Sequence, residues 1–107
     1  MSTLREWFGG FVRHTGELPD SVVLSWGDWG VREEWPELPV GVVRFEALSP
    51  DVLGQGFDAG FGGNESPNLC AWSHSWVIFS DNYDGSEHLR WVPRSPTPHE
   101  PIRPGGG

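Results

Sequence analysis

Lysine is missing altogether from this 107-residue chain: all seven basic residues are arginine, and fifteen acidic residues bring the net charge to −8. That balance excludes two partner classes, because nucleic acids and anionic membranes are held by basic side chains that neutralise phosphates. Without lysine there is also no phosphate loop ending in Gly-Lys-Ser/Thr. With a single cysteine, Cys70, no disulfide can close within the chain. No apolar run approaches the roughly 18 residues of a membrane span. The first residues show neither the basic start nor the apolar run of a signal peptide. The expected compartment is therefore the cytoplasm.

Chemistry-bearing motifs are equally sparse. His14, His74, His88 and His99 are scattered, so no zinc spacing arises and neither metal nor cofactor is expected. Gly54 and Gly56 begin a G-x-G pattern with Ala59 at the third position, but no strand–helix context surrounds it. Aligning Gly85 with the invariant glycine of a calcium loop puts Ser80 first and Trp91 twelfth, where a bidentate Glu is required. That stretch reads instead as a hairpin turn. Cys70 and His74 share one predicted strand, about 13 Å apart along it, too far for a nucleophile and its base. No two acids are singled out as a catalytic pair, and the chain reads as a non-enzyme.

What is present is a strong β signal at residues 69–94. From Ala71 to Ser80 the side chains alternate with period two, placing Trp72, His74, Trp76 and Ile78 on one face. Asp81 to Ser86 has the composition of a turn, and the chain returns with Leu89 and Trp91 on one face and His88, Arg90 and Val92 on the other. His74 and His88 are expected across the hairpin from each other. Upstream, Leu4, Trp7, Phe8, Phe11 and Val12 follow the spacing of an apolar helical face, with Ser2 or Thr3 as the cap, Glu6 three residues after Thr3 in a capping-box arrangement, and Gly16 as a stop. Residues 21–26 and 40–48 read as strands, Asp51 to Leu53 as one helical turn, and Phe57–Asp58 as a brief strand. The fold class expected is α+β: a small antiparallel sheet of four to five strands with one short N-terminal helix. Residues 1–94 form the single domain, and the Pro/Gly-rich residues 95–107 a disordered, flexible tail.

Seven tryptophans are many for this length, and three of them, Trp26, Trp29 and Trp35, sit in an acidic, aperiodic stretch. Asp28, Trp29, Glu33, Glu34, Trp35 and Glu37 are the candidate partner-binding residues, because aromatic anchors and steering carboxylates suit a basic protein surface. The alternative is that the tryptophans fold back to cap the core while the acids are merely solvated.

The residues Phe57, Asp58, Gly60, Gly62, Gly63 and Glu65, then Ala71-Trp72, Trp76-Val77 and Phe79, then Tyr83 to Glu87 and Val92-Pro93-Arg94 resemble small bacteriophage and prophage proteins. The resemblance covers about the last third of the folded part and brings no known activity, catalytic residue or cofactor. It implies a small acidic phage protein of the kind that binds a host protein. On that basis the expected function is to bind, and inhibit, a host protein with a basic nucleic-acid-binding surface. A small-ligand (for example sugar) binder using tryptophan platforms and a phage-particle assembly component stay open. The oligomeric state is not fixed by the sequence.

Overall fold

Thr3 opens the first helix, its hydroxyl accepting from the Glu6 amide at 3.1 Å. That helix, α1 (Leu4–Thr15), buries Leu4, Phe8 and Phe11. It ends where Gly16 takes a positive φ of 75° and returns its amide to the Val12 carbonyl, a conformation that costs glycine little. A computed structural model describes residues 2–26, 32–58, 66–83 and 86–95 of the chain. After α1 come β1 (Ser21–Ser25), β2 (Val43–Arg44), a 3-10 turn (Phe45–Ala47), α2 (Pro50–Gly54), β3 (Asn68–Trp72), β4 (Trp76–Tyr83) and β5 (Ser86–Pro93). The strands form one antiparallel sheet in the order β2-β1-β3-β4-β5. The expected α+β class, with a helix followed by a small antiparallel sheet, is what the chain adopts.

Register decides which side chains meet. Val22, Ala71 and Ile78 lie side by side across β1, β3 and β4, all 0% exposed, and Trp91 continues the row on β5. Leu24, Leu69 and Leu89 share that face one step further along. Onto it α1 lowers its apolar stripe: Phe11 meets Trp91 edge-to-face at 5.2 Å, and Phe8 meets Phe45 at 5.0 Å.

Several expectations are corrected. The predicted strand over 71–80 is two strands, because Ser73, His74 and Ser75 turn the chain back on itself. Trp72 and Trp76 therefore lie on opposite faces rather than one, and His88 stands opposite Asp81, not His74. The ladder runs on to Tyr83 and resumes at Ser86, so Asp81 to Tyr83 belong to the strand; residues 84 and 85 lie outside the described residues. Only Val43–Arg44 of the predicted 40–48 strand pairs, before Phe45 tightens into the 3-10 turn. Phe57 pairs with Ser2 through two backbone bonds of 2.9 Å, outside the main sheet. The tail residues 96–107 lie outside the described residues.

One polar clamp locks the turn between β3 and β4 to the link after α1. The Ser73 hydroxyl, 0% exposed, donates to the Glu17 carboxylate at 2.7 Å, and the Ser75 amide donates to the same oxygen at 3.0 Å. Arg94 closes the other side, its guanidinium donating to the Ser73 carbonyl at 2.8 Å and its amide to the Ser75 carbonyl at 2.9 Å. The hydrogen bonds from Ser75 and Ser73 hold the Glu17 carboxyl below the ordinary glutamate range, against an opposing desolvation effect. A lowered folded-state pKa means that the unfolded chain takes up the proton more readily. The stabilisation from Glu17 is thus complete above the unfolded carboxylate's pKa and is lost as pH falls through the folded value. Urea titrations of wild type and Glu17→Gln should show a gap in midpoint at neutral pH that closes on acidification. A gap that stays constant with pH would mean the carboxylate charge is irrelevant to the clamp.

Candidate functional site

The acidic stretch is built on a turn whose apolar members point inward. The Trp35 amide donates to the Arg32 carbonyl at 3.1 Å, closing the turn over Arg32 to Trp35. Trp35 is only 7% exposed. Its ring meets Trp26 edge-to-face at 5.4 Å and lies tilted on Phe57 at 5.9 Å, and Phe57 in turn meets Trp7 at 5.0 Å. This aromatic row joins the turn to the end of β1, where Trp26 follows the strand, to the segment after α2 and to α1. Leu38 packs against the same core.

Glu33, Glu34 and Glu37, to either side of Trp35 in sequence, are exposed. Arg32 offsets one of the three charges, its guanidinium lying 3.8 Å from the Glu34 carboxylate. Pro36 lines an open groove of about 420 Å³ together with Pro50, Asp51, Gly54, Gln55 and Gly56. Asp51 is exposed and brings a further carboxylate to that groove. Sequence reasoning missed it. Asp51 follows a Ser-Pro helix start, where an acid is ordinary, and only the tertiary packing sets α2 beside Pro36.

Of the six candidate partner-binding residues, the structure brings together Glu33, Glu34 and Trp35 on one short turn with Glu37 two residues beyond it, while Asp28 and Trp29 lie outside the described residues. For Trp35 the expectation of an exposed anchor is corrected: the ring is a core residue. Nor is it exceptional. Trp7, Trp26, Trp76 and Trp91 all pack against the core, and Trp72 is the one described tryptophan that does not. The abundance of tryptophan is mainly a property of the interior, filled by large rings because so short a chain has few residues to spend on it.

Among the described residues, no group of three or more His, Cys, Asp or Glu side chains is gathered as a metal-ligand set, and no helix is long and apolar enough to cross a membrane. Burial pushes the Cys70 thiol up, away from the thiolate a nucleophile needs. Compared with protein-family models, curated proteins and solved structures, the chain has no match.

Proposed function

We propose that the chain is a non-enzymatic binding protein that presents Glu33, Glu34 and Glu37 to a basic surface on another protein. One observation carries this reading: Trp35 is buried while the three carboxylates around it are exposed. An acidic loop with no anchor would lose much of its electrostatic gain to ordering on contact. Here the backbone under the acids is already held by the packing of Trp35, so the charges meet a partner preorganised. With the chain at −8, the field around this turn favours encounter with a cationic face and repels nucleic acid itself. The resemblance to phage proteins supports a bacterial host protein as partner, one whose own nucleic-acid-binding surface is basic, met in the host cytoplasm and blocked by the contact.

The test is a pull-down from bacterial lysate with wild type and the triple variant Glu33→Gln, Glu34→Gln, Glu37→Gln. Wild type should retain a basic protein at about 50 mM salt and release it at about 500 mM, where the Debye length has shrunk several-fold. The triple variant should bind roughly tenfold or more weakly, as expected for several rim charges acting together. Equal retention by the variant at low salt would remove the acidic turn from the interface.

A further inference from the structure

The open groove beside the acidic turn is poor in hydrogen-bond donors. At about 420 Å³ it lies near the lower limit of ligand pockets, roughly 300–1,000 Å³, so it has room for one side chain and not for a helix. Two of its lining residues, Pro36 and Pro50, carry no amide hydrogen. The Gln55 carboxamide nitrogen is taken by the Gly56 carbonyl at 3.2 Å. Asp51 contributes an exposed carboxylate, and no ion pair among the described residues involves it. The lining therefore offers mainly acceptors, and no cationic side chain belongs to it.

The chain itself shows which group such a surface takes. Arg5, on α1, turns its guanidinium onto two of the same residues. Its Nη2 donates to the Pro50 carbonyl at 3.4 Å, and its Nη1 lies 3.3 Å from where a Cβ on Gly54 would stand. A guanidinium has five N–H donors and no acceptor, the complement of a donor-poor groove. Its planar fork also meets a carboxylate through two parallel bonds, whereas an ammonium is a compact, strongly hydrated point charge. The buried Trp35 ring anchors Pro36 from one side, and Glu37 follows Pro36 on the other. Glu37 too is absent from the ion pairs of the described residues, so a second carboxylate stands next to the groove in sequence.

We propose that this groove receives an arginine side chain of the basic partner, its guanidinium on the Asp51 carboxylate and its methylenes along Pro36 and Pro50. The inference rests on the reading of the 33–37 turn as a surface for a basic protein, and it names the contact that gives this surface a residue preference. The glutamates of the turn attract cations of either kind from a distance; the groove selects arginine over lysine. Arg5 lies against part of the same lining with a like charge, so it opposes the incoming guanidinium. Neutralising Asp51 and neutralising Arg5 should therefore have opposite effects.

The probe is a capped Gly-Arg-Gly peptide titrated into the isotope-labelled full chain at low salt, followed by amide chemical shifts, with the lysine peptide and the uncharged citrulline peptide as controls. The amides of Asp51, Gly54, Gln55 and Gly56 should move and saturate with a Kd on the order of 1 mM for the arginine peptide. The citrulline peptide should bind roughly tenfold more weakly, since it lacks the charge. Asp51→Asn should weaken the arginine peptide about tenfold and Arg5→Gln should strengthen it; both residues are exposed, so the fold should survive either change. Groove amides that do not move, equal binding of the lysine or citrulline peptide, or an Asp51→Asn variant that binds as well as wild type overturns the proposal. Shifts confined to residues 33–37 overturn it too, while leaving the reading of the turn in place. If instead the triple glutamate variant keeps its partner in the pull-down while the groove still saturates with the arginine peptide, the turn reading fails and the groove stands.

Discussion

Trp35→Ala should destabilise the domain by about 3–5 kcal/mol, the range for truncating a large buried aromatic. The ring is 7% exposed and stands between Trp26 and Phe57, so its removal opens a cavity lined by two other rings. Those rings come from the residue after β1 and from the segment after α2, and neither can collapse inward without moving its backbone. A chain of this length has roughly 5–15 kcal/mol of stability in total, so the loss would lower the urea midpoint steeply or unfold the protein at room temperature. Far-UV circular dichroism in urea is the measurement, since six other tryptophans confuse fluorescence. Trp35→Phe keeps most of the volume and should recover much of the loss. A fully stable Trp35→Ala would show that the ring caps the surface and is free to serve as an interface anchor. Under the present packing, weakened partner binding by that variant would report unfolding and not a lost contact, which is why the functional test uses the three glutamates.

Phe11→Ala is expected to cost a similar amount, about 3–5 kcal/mol, for a different reason. Phe11 is 0% exposed at the centre of the α1 stripe and meets Trp91 on β5. That contact is part of what holds the first helix to the last strand. The helix is twelve residues long with two internal glycines, too short and too weak to persist in water unless it is packed. Removing Phe11 should therefore loosen the whole helix along with the cavity. Amide hydrogen exchange would show α1 losing protection along its length while β3 and β4 keep theirs. Protection lost only within one turn of Phe11 would mean that Leu4 and Phe8 suffice to dock the helix.

The features legible in the sequence are those set by local rules. The α1 stripe, its Thr3 cap and its Gly16 stop rest on spacings of three or four residues and on one φ angle. The burial of Val22 and Leu24, and of Leu89 and Trp91 on one face, follows from alternation along a single strand. The turn at Ser73 to Ser75 was hidden for the same reason that made the strands visible. A period of two looks the same whether the chain runs straight on or reverses, and only pairing with β1 and β4 tells the two apart. β2 is short because the chain tightens at once into the 3-10 turn, where the Leu48 amide donates to the Phe45 carbonyl at 3.1 Å; the Phe45 amide makes a last cross-strand bond to the Asp20 carbonyl at 2.9 Å, between residues 25 apart.

The candidate site divides along the same line. Composition, charge and the periodicity of the apolar residues determined by themselves that this is a small acidic α+β chain with carboxylates at 33, 34 and 37. Whether the tryptophan among them faces in or out was decided by tertiary structure. Trp35 is buried because Trp26, nine residues before it, and Phe57, twenty-two after it, are brought against its ring. The outer face of the sheet likewise gathers Trp72, Val77, Phe79 and Val92 only once β3, β4 and β5 lie in register. Burial is a property of neighbours, and these neighbours are assembled by the fold.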